Sequence, residues 1–178
     1  PFDEIPMNYN PDRNFVSSAN QIVADATYPY FVNGVFEYYR NRVINMELRK
    51  MHKASLADFK ALQFNNYNLM AAESLPLMLS YLDKSSLDVE GQKLFEALNS
   101  WNYQNTSVSL TATYFQLFSE AYYTLLWDEF VEPEVPGGWD PFKWKDGWKA
   151  PNEFQTQRLL ADSIQHPFID HLNTGKVE

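Results

Sequence analysis

The chain has 178 residues, 45% hydrophobic and 21% charged, with 6 Gly and 10 Pro, enough to bury a sizeable core and unlike collagen-like, low-complexity or disordered sequences. Its formal charge of −9 argues against nucleic acid or an anionic membrane face as a partner, and no apolar run reaches the roughly 18 to 20 residues of a membrane span. The absence of cysteine excludes thiolate catalysis, disulfide scaffolds and Cys-based zinc sites.

Residues 1–33 carry Pro1, Pro6, Pro11 and Pro29 and no 3.6-residue apolar pattern, so they read as extended chain and turns, with residues 14–23 as a candidate strand. From residue 34 a helical layer begins. Val35, Tyr38, Tyr39, Val43, Met46 and Met51 fall near one face of a first helix over 35–51. Ser55 and Asp58 make a capping-box-like S-x-x-D that starts a second helix at Leu56. That helix is expected to continue to about Tyr81, kinked or restarted at Pro76. After a polar turn at 83–86, Leu94, Ala97, Leu98 and Trp101 predict a helix over 90–101. Another polar turn at 102–107 leads to the longest helix, 108–130, whose apolar stripe Leu110, Tyr114, Leu117, Phe118, Ala121, Leu125 and Trp127 reads as core. Residues 132–150 hold Trp139, Trp144 and Trp148 and are expected to pack as an aromatic flap or, in a second reading, to serve a non-enzymatic helical binding module as a stacking surface. Pro151 suits the first turn of a last helix to Ile164, followed by a tail to 178. The fold class is therefore mainly α, about five helices after an extended stretch, in one domain. Within it, residues 61–142 hold 11 acids and 2 bases while the flanks balance at 7 to 7 and 5 to 5, so the whole excess charge is expected on a solvated helical face.

Few side chains here carry chemistry alone. His166 and His171 are five apart around Pro167 and do not share a helix face as a zinc pair needs, and His52 stands by itself. There is no G-x-S-x-G and no phosphate-cradling Gly loop. Pro1 lies in no strand-helix-strand context for an N-terminal base, and the missing initiator Met leads to the expectation that the chain is a piece of a longer polypeptide.

An ordered set of motifs does point to chemistry. Asn10-Pro11, then Phe15 through Gln21, Tyr28-Pro29 and Arg40-Asn41-Arg42-Val43 resemble the N-P-x-x-G-[FY]-[IV]-x-x-x-N-[NQ], Y-P and R-x-R-[IV] series in the β chain of penicillin acylases. Leu62-Gln63, Pro76-Leu77 and the Leu98, Trp101, Asn102 element follow in the same order as that family's L-Q-x-D, L-P-x-L and L-x-x-W-[DN]. The departures are Asn14 in place of the motif glycine, Ala19 before the motif asparagine, and Asn65 where an acid is usual. Asn14 is a tolerable substitute because Asn accepts positive φ better than other non-glycine residues.

The resemblance implies a slice of a larger αββα N-terminal nucleophile hydrolase, which cleaves amides through an acyl-enzyme on a serine freed by self-cleavage. That nucleophile would lie outside this chain. The partners implied are the rest of the precursor, meaning the α chain and the start of the β chain, together with a small-molecule amide substrate. The isolated piece would be inactive, with aromatic surface exposed or buried in a dimer. The motif asparagine falls on Asn20, whose side-chain amide would donate to the oxyanion of the tetrahedral intermediate. Taken by itself Asn20 reads equally well as a turn cap. Arg42 matches a family arginine that supports the active site, whereas Arg40 is expected in a surface ion pair. Family calcium ligands follow the Y-P, but Phe31 and Val32 offer no side-chain oxygen, so calcium, if the parent binds it, would be held elsewhere and no cofactor is expected in this chain. The resemblance leans toward a periplasmic or secreted protein.

Overall fold

The computed structural model describes residues 2–34, 36, 38–127 and 151–161. Among them it is mainly helical, with α1 (Arg40–Lys50), α2 (Leu56–Gln63), α3 (Leu69–Ser80), α4 (Val89–Asn99), α5 (Leu110–Leu126) and α6 (Glu153–Ala161). The expected Trp-rich flap, His166, His171 and Pro1 lie outside the described residues. Two compact units fall within Pro1–Leu69 and Met70–Glu178.

In the first unit the candidate strand at 14–23 is absent, and these residues run as bends and coil. Asn14 at φ 58° and Asn20 at φ 60° put left-handed residues into the run, and these turn the chain where a strand needs extended backbone. Helix α1 starts at Arg40 rather than near residue 35. Four of the five residues before it, Val35, Phe36, Tyr38 and Tyr39, are β-branched or aromatic and poorer helix formers, and Tyr39 at the cap makes no side-chain capping bond. Helix α2 begins where expected. Its capping box is complete: Ser55 Oγ accepts from the Asp58 N–H at 3.3 Å, and Asp58 Oδ2 accepts from the Ser55 N–H at 2.7 Å.

The second helix ends at Gln63 instead of running on to Pro76. Asn65 Oδ1 accepts from the Tyr67 N–H at 2.9 Å, a local turn that competes with the helical ladder and splits one expected helix into two. Pro76 then sits inside α3, so the six helices include one that carries a proline without breaking there.

The second unit holds the apolar core. Ala71, Leu75 and Leu79 recur every four residues along α3 and pack with Leu98, Trp101 and Phe115. A smaller cluster joins Leu126 and Trp127 to Leu160, and Trp127 Nε1 donates to Thr156 Oγ1 at 3.2 Å. The face of α5 turned inward matches the expected stripe only in part, at Phe118 and Trp127. Phe115 is 2% exposed, with Ala112 and Phe118 beside it, whereas Leu110, Leu117 and Leu125 of the predicted stripe are 69%, 60% and 59% exposed. The apolar arc of α5 is wide, leaving only the side of Thr113, Gln116, Glu120 and Thr124 polar, so its periodicity alone does not select which part of that arc turns inward. Helix α6 is capped by Asn152, whose Oδ1 accepts from the Gln155 N–H at 2.9 Å while Gln155 Oε1 accepts from the Asn152 N–H at 3.0 Å. Pro151 lies just ahead of that cap.

Candidate functional site

The chemistry-bearing motifs gather in the first unit, where the coil ahead of α1 folds along that helix. The turn begins at Pro11, whose carbonyl accepts from the Asn14 N–H at 2.8 Å. Asn14 occupies the left-handed conformation a glycine would take, as its place in the motif requires. Arg13, inside this turn, donates from Nε to the Phe15 carbonyl at 3.0 Å and stacks its guanidinium 5.0 Å from the Phe15 ring.

Asn20 lies in a second turn, exposed and itself left-handed. Its two neighbours are tied across it by one side chain. Gln21 Oε1 accepts from the Ala19 N–H at 2.7 Å, and Gln21 Nε2 donates to the Ser17 carbonyl at 3.3 Å. The Asn20 side chain meets α1: Arg40 Nη2 donates to Asn20 Oδ1 at 2.7 Å. Arg40 therefore faces the motif asparagine, because the first turn of α1 aims it back along the preceding coil. Arg42 is exposed on the same helix. A guanidinium has no acceptor, so its approach fixes the amide with oxygen toward Arg40 and Nδ2 turned away from it.

Behind this contact lies a polar cluster that sequence reading did not single out. Asn45 is 7% exposed within α1. Its Nδ2 donates to the Asn41 carbonyl at 2.7 Å and to Asn41 Oδ1 at 2.6 Å, and its Oδ1 accepts from Arg13 Nη1 and Ser17 Oγ, each at 3.3 Å. Asn41 Nδ2 also donates to Ser17 Oγ at 3.1 Å. Asn41 and Asn45 stand four apart inside a helix, where asparagine is a poor former, and that pairing was the available signal.

An open cleft of about 720 Å³ adjoins the turn, its walls including Arg13, Ser17, Ser18, Gln21, Asp25, Tyr28 and Asn41. Asn20 is not one of its walls. At the Asp25 wall the carboxyl is held below its usual range by the Thr27 hydroxyl and then by the Thr27 N–H. Tyr30, in edge contact with Tyr28 at 5.7 Å between ring centres, is pushed above the ordinary phenol value by its hydrogen bond to Glu4. Among the described residues no group of three or more His, Asp or Glu side chains could hold a metal ion, and no helix is long and apolar enough to cross a membrane. His52 is exposed.

No curated protein and no solved structure matches the chain. A family model does: the one described as Penicillin amidase matches residues 1–177, nearly the whole length. The chain therefore belongs to the penicillin amidase family, N-terminal nucleophile hydrolases whose function is of the amidohydrolase type.

Proposed function

We propose that this chain is the part of a penicillin-amidase-type enzyme that supplies Asn20 as an oxyanion donor, while the nucleophilic N-terminal serine lies outside residues 1–178. The enzyme would cleave an amide bond through an acyl-enzyme. When the nucleophile adds to the substrate carbonyl, negative charge develops on the carbonyl oxygen, and a neutral amide N–H held in position stabilises it without being lost to titration. The helices of the chain act as scaffold for that donor, and the remainder of the precursor is the natural partner surface.

The observation that supports this reading is the bond from Arg40 to Asn20 Oδ1. It commits the amide oxygen as acceptor and leaves Nδ2 as the donor end, with no partner for Nδ2 among the described residues. The positive charge on the oxygen side also withdraws electron density from the amide and strengthens the N–H as a donor.

The test is turnover of a chromogenic phenylacetyl anilide by the processed enzyme carrying Asn20→Ala or Asn20→Asp. Loss of one oxyanion donor lowers kcat by about 10² to 10³ with little change in KM. Asn20→Asp is the sharper variant, because the carboxylate keeps the pairing with Arg40 but has no N–H to give. Wild-type kcat in Asn20→Ala overturns the proposal.

A further inference from the structure

The contacts behind Asn20 form a chain of their own. Asn45 uses both amide hydrogens and both lone pairs of its oxygen, to Asn41 twice, to Arg13 and to Ser17, so a buried amide is fully satisfied and holds a single geometry. Ser17 is the link to the coil: its hydroxyl donates to Asn45 and accepts from Asn41, and its carbonyl accepts from Gln21. Gln21 then returns to the Ala19 N–H. Residues 17–21 are thereby closed into a loop with Asn20 at φ 60° between its two ends, a conformation that does not persist in a free chain unless its surroundings impose it.

We infer that Ser17, together with Asn41 and Asn45 of α1, is a positioning device that fixes the turn carrying Asn20, and that Gln21 is the clamp closing that turn. The inference rests on the oxyanion reading of Asn20. Arg40 sets which way the amide faces, whereas Ser17 sets where its backbone stands. Neither Ser17 nor Asn45 is asked to touch substrate; each acts through Asn20.

A double-mutant cycle in the processed enzyme, read with the chromogenic phenylacetyl anilide, tests it. Ser17→Ala is expected to lower kcat about 10-fold with KM unchanged, short of the loss from removing the donor itself, because misplacing a catalytic group by a fraction of an ångström costs less than deleting it. Ser17→Thr, which keeps the hydroxyl, restores kcat. In an Asn20→Ala background Ser17→Ala has no further effect on kcat. An equal loss in that background shows that Ser17 does not act through Asn20 and overturns the inference. So does wild-type kcat in Ser17→Ala when Asn20→Ala is crippled, and this result leaves the oxyanion reading standing. Wild-type kcat in Asn20→Ala removes that reading and the inference with it. Asn45→Leu serves as the second variant, with a thermal melt to separate loss of fold from loss of rate.

Discussion

Three asparagines at positions 10, 14 and 20 adopt positive φ within one short coil, at 43°, 58° and 60°. Asparagine visits this region more readily than other residues with a side chain, yet still at a cost relative to glycine. At position 14 the family motif has glycine, and the sequence alone was enough to foresee a left-handed residue there, because the substitution is intelligible only if φ is positive. Asn20 was legible as a motif residue but its backbone was not, since the bonds that hold it come from Gln21 and from side chains on α1 far along the chain. Which arginine of the R-x-R pair meets Asn20 was not legible for a related reason. Two residues on a helix stand about 200° apart, and spacing does not say which of them looks back along the incoming coil. Position 14 offers a direct check at this scale. Replacing Asn14 by Gly should leave the melting temperature near the wild-type value, while Asn14→Ala should destabilise the fold by about 1 kcal/mol, the typical cost of a Cβ in the left-handed region. A melt in which Ala and Gly behave alike contradicts the backbone conformation described for this turn.

At the scale of elements, ends were more legible than faces. Ser55 and Asp58 announce α2, and the bonds they form are those the pattern requires, because a capping box is built from neighbours in sequence. The break after Gln63 is written in the run Asn65, Asn66, Asn68, although the apolar pattern continues past it toward Pro76. The inward face of α5 was not legible, since choosing between Phe115 and Leu117 depends on α3 and α4 and not on α5 itself. With Leu110, Leu117 and Leu125 on the outside, the helix draws its stability from one packed stripe and from its cap. That cap is Ser109, whose hydroxyl accepts from the Ala112 N–H at 3.2 Å. Ser109→Ala is expected to lower stability by about 1 kcal/mol, and Ser109→Asp to retain most of it, as measured by urea unfolding. Equal stability of the Ala variant would mean that α5 does not depend on this end.

Across the molecule the two units are held by different forces. Asn45 and its partners give the first unit a polar centre, whereas the second is organised around Leu75, Leu98, Phe115 and Trp127. The second unit also buries phenols, and that gives it a pH limit. Tyr122, beside the Leu126, Trp127 and Leu160 cluster and 5.9 Å from the Phe118 ring, is pushed up from 10.0 to about 12 by burial and, to a lesser extent, by Tyr81. Tyr123, which hydrogen-bonds the Pro151 carbonyl, is likewise pushed up to about 12 by burial and then by Glu153. Burial disfavours the phenolate, so the folded chain keeps these protons after the unfolded chain has begun to lose them. Below the ordinary phenol value both states are protonated and the contribution to stability is fully present. Between about pH 10 and pH 12 only the unfolded state ionises, which draws the equilibrium toward unfolding, and the contribution is gone once the folded value is passed. The melting temperature of the second unit should therefore fall steeply over that window. Tyr122→Phe, which cannot ionise, should flatten the fall, and Tyr123→Phe should flatten it while lowering the melt at every pH through loss of the bond to Pro151. An alkaline profile identical in wild type and Tyr122→Phe would show that this phenol is not buried against the cluster, and the packing of α6 on the end of α5 would have to be redrawn.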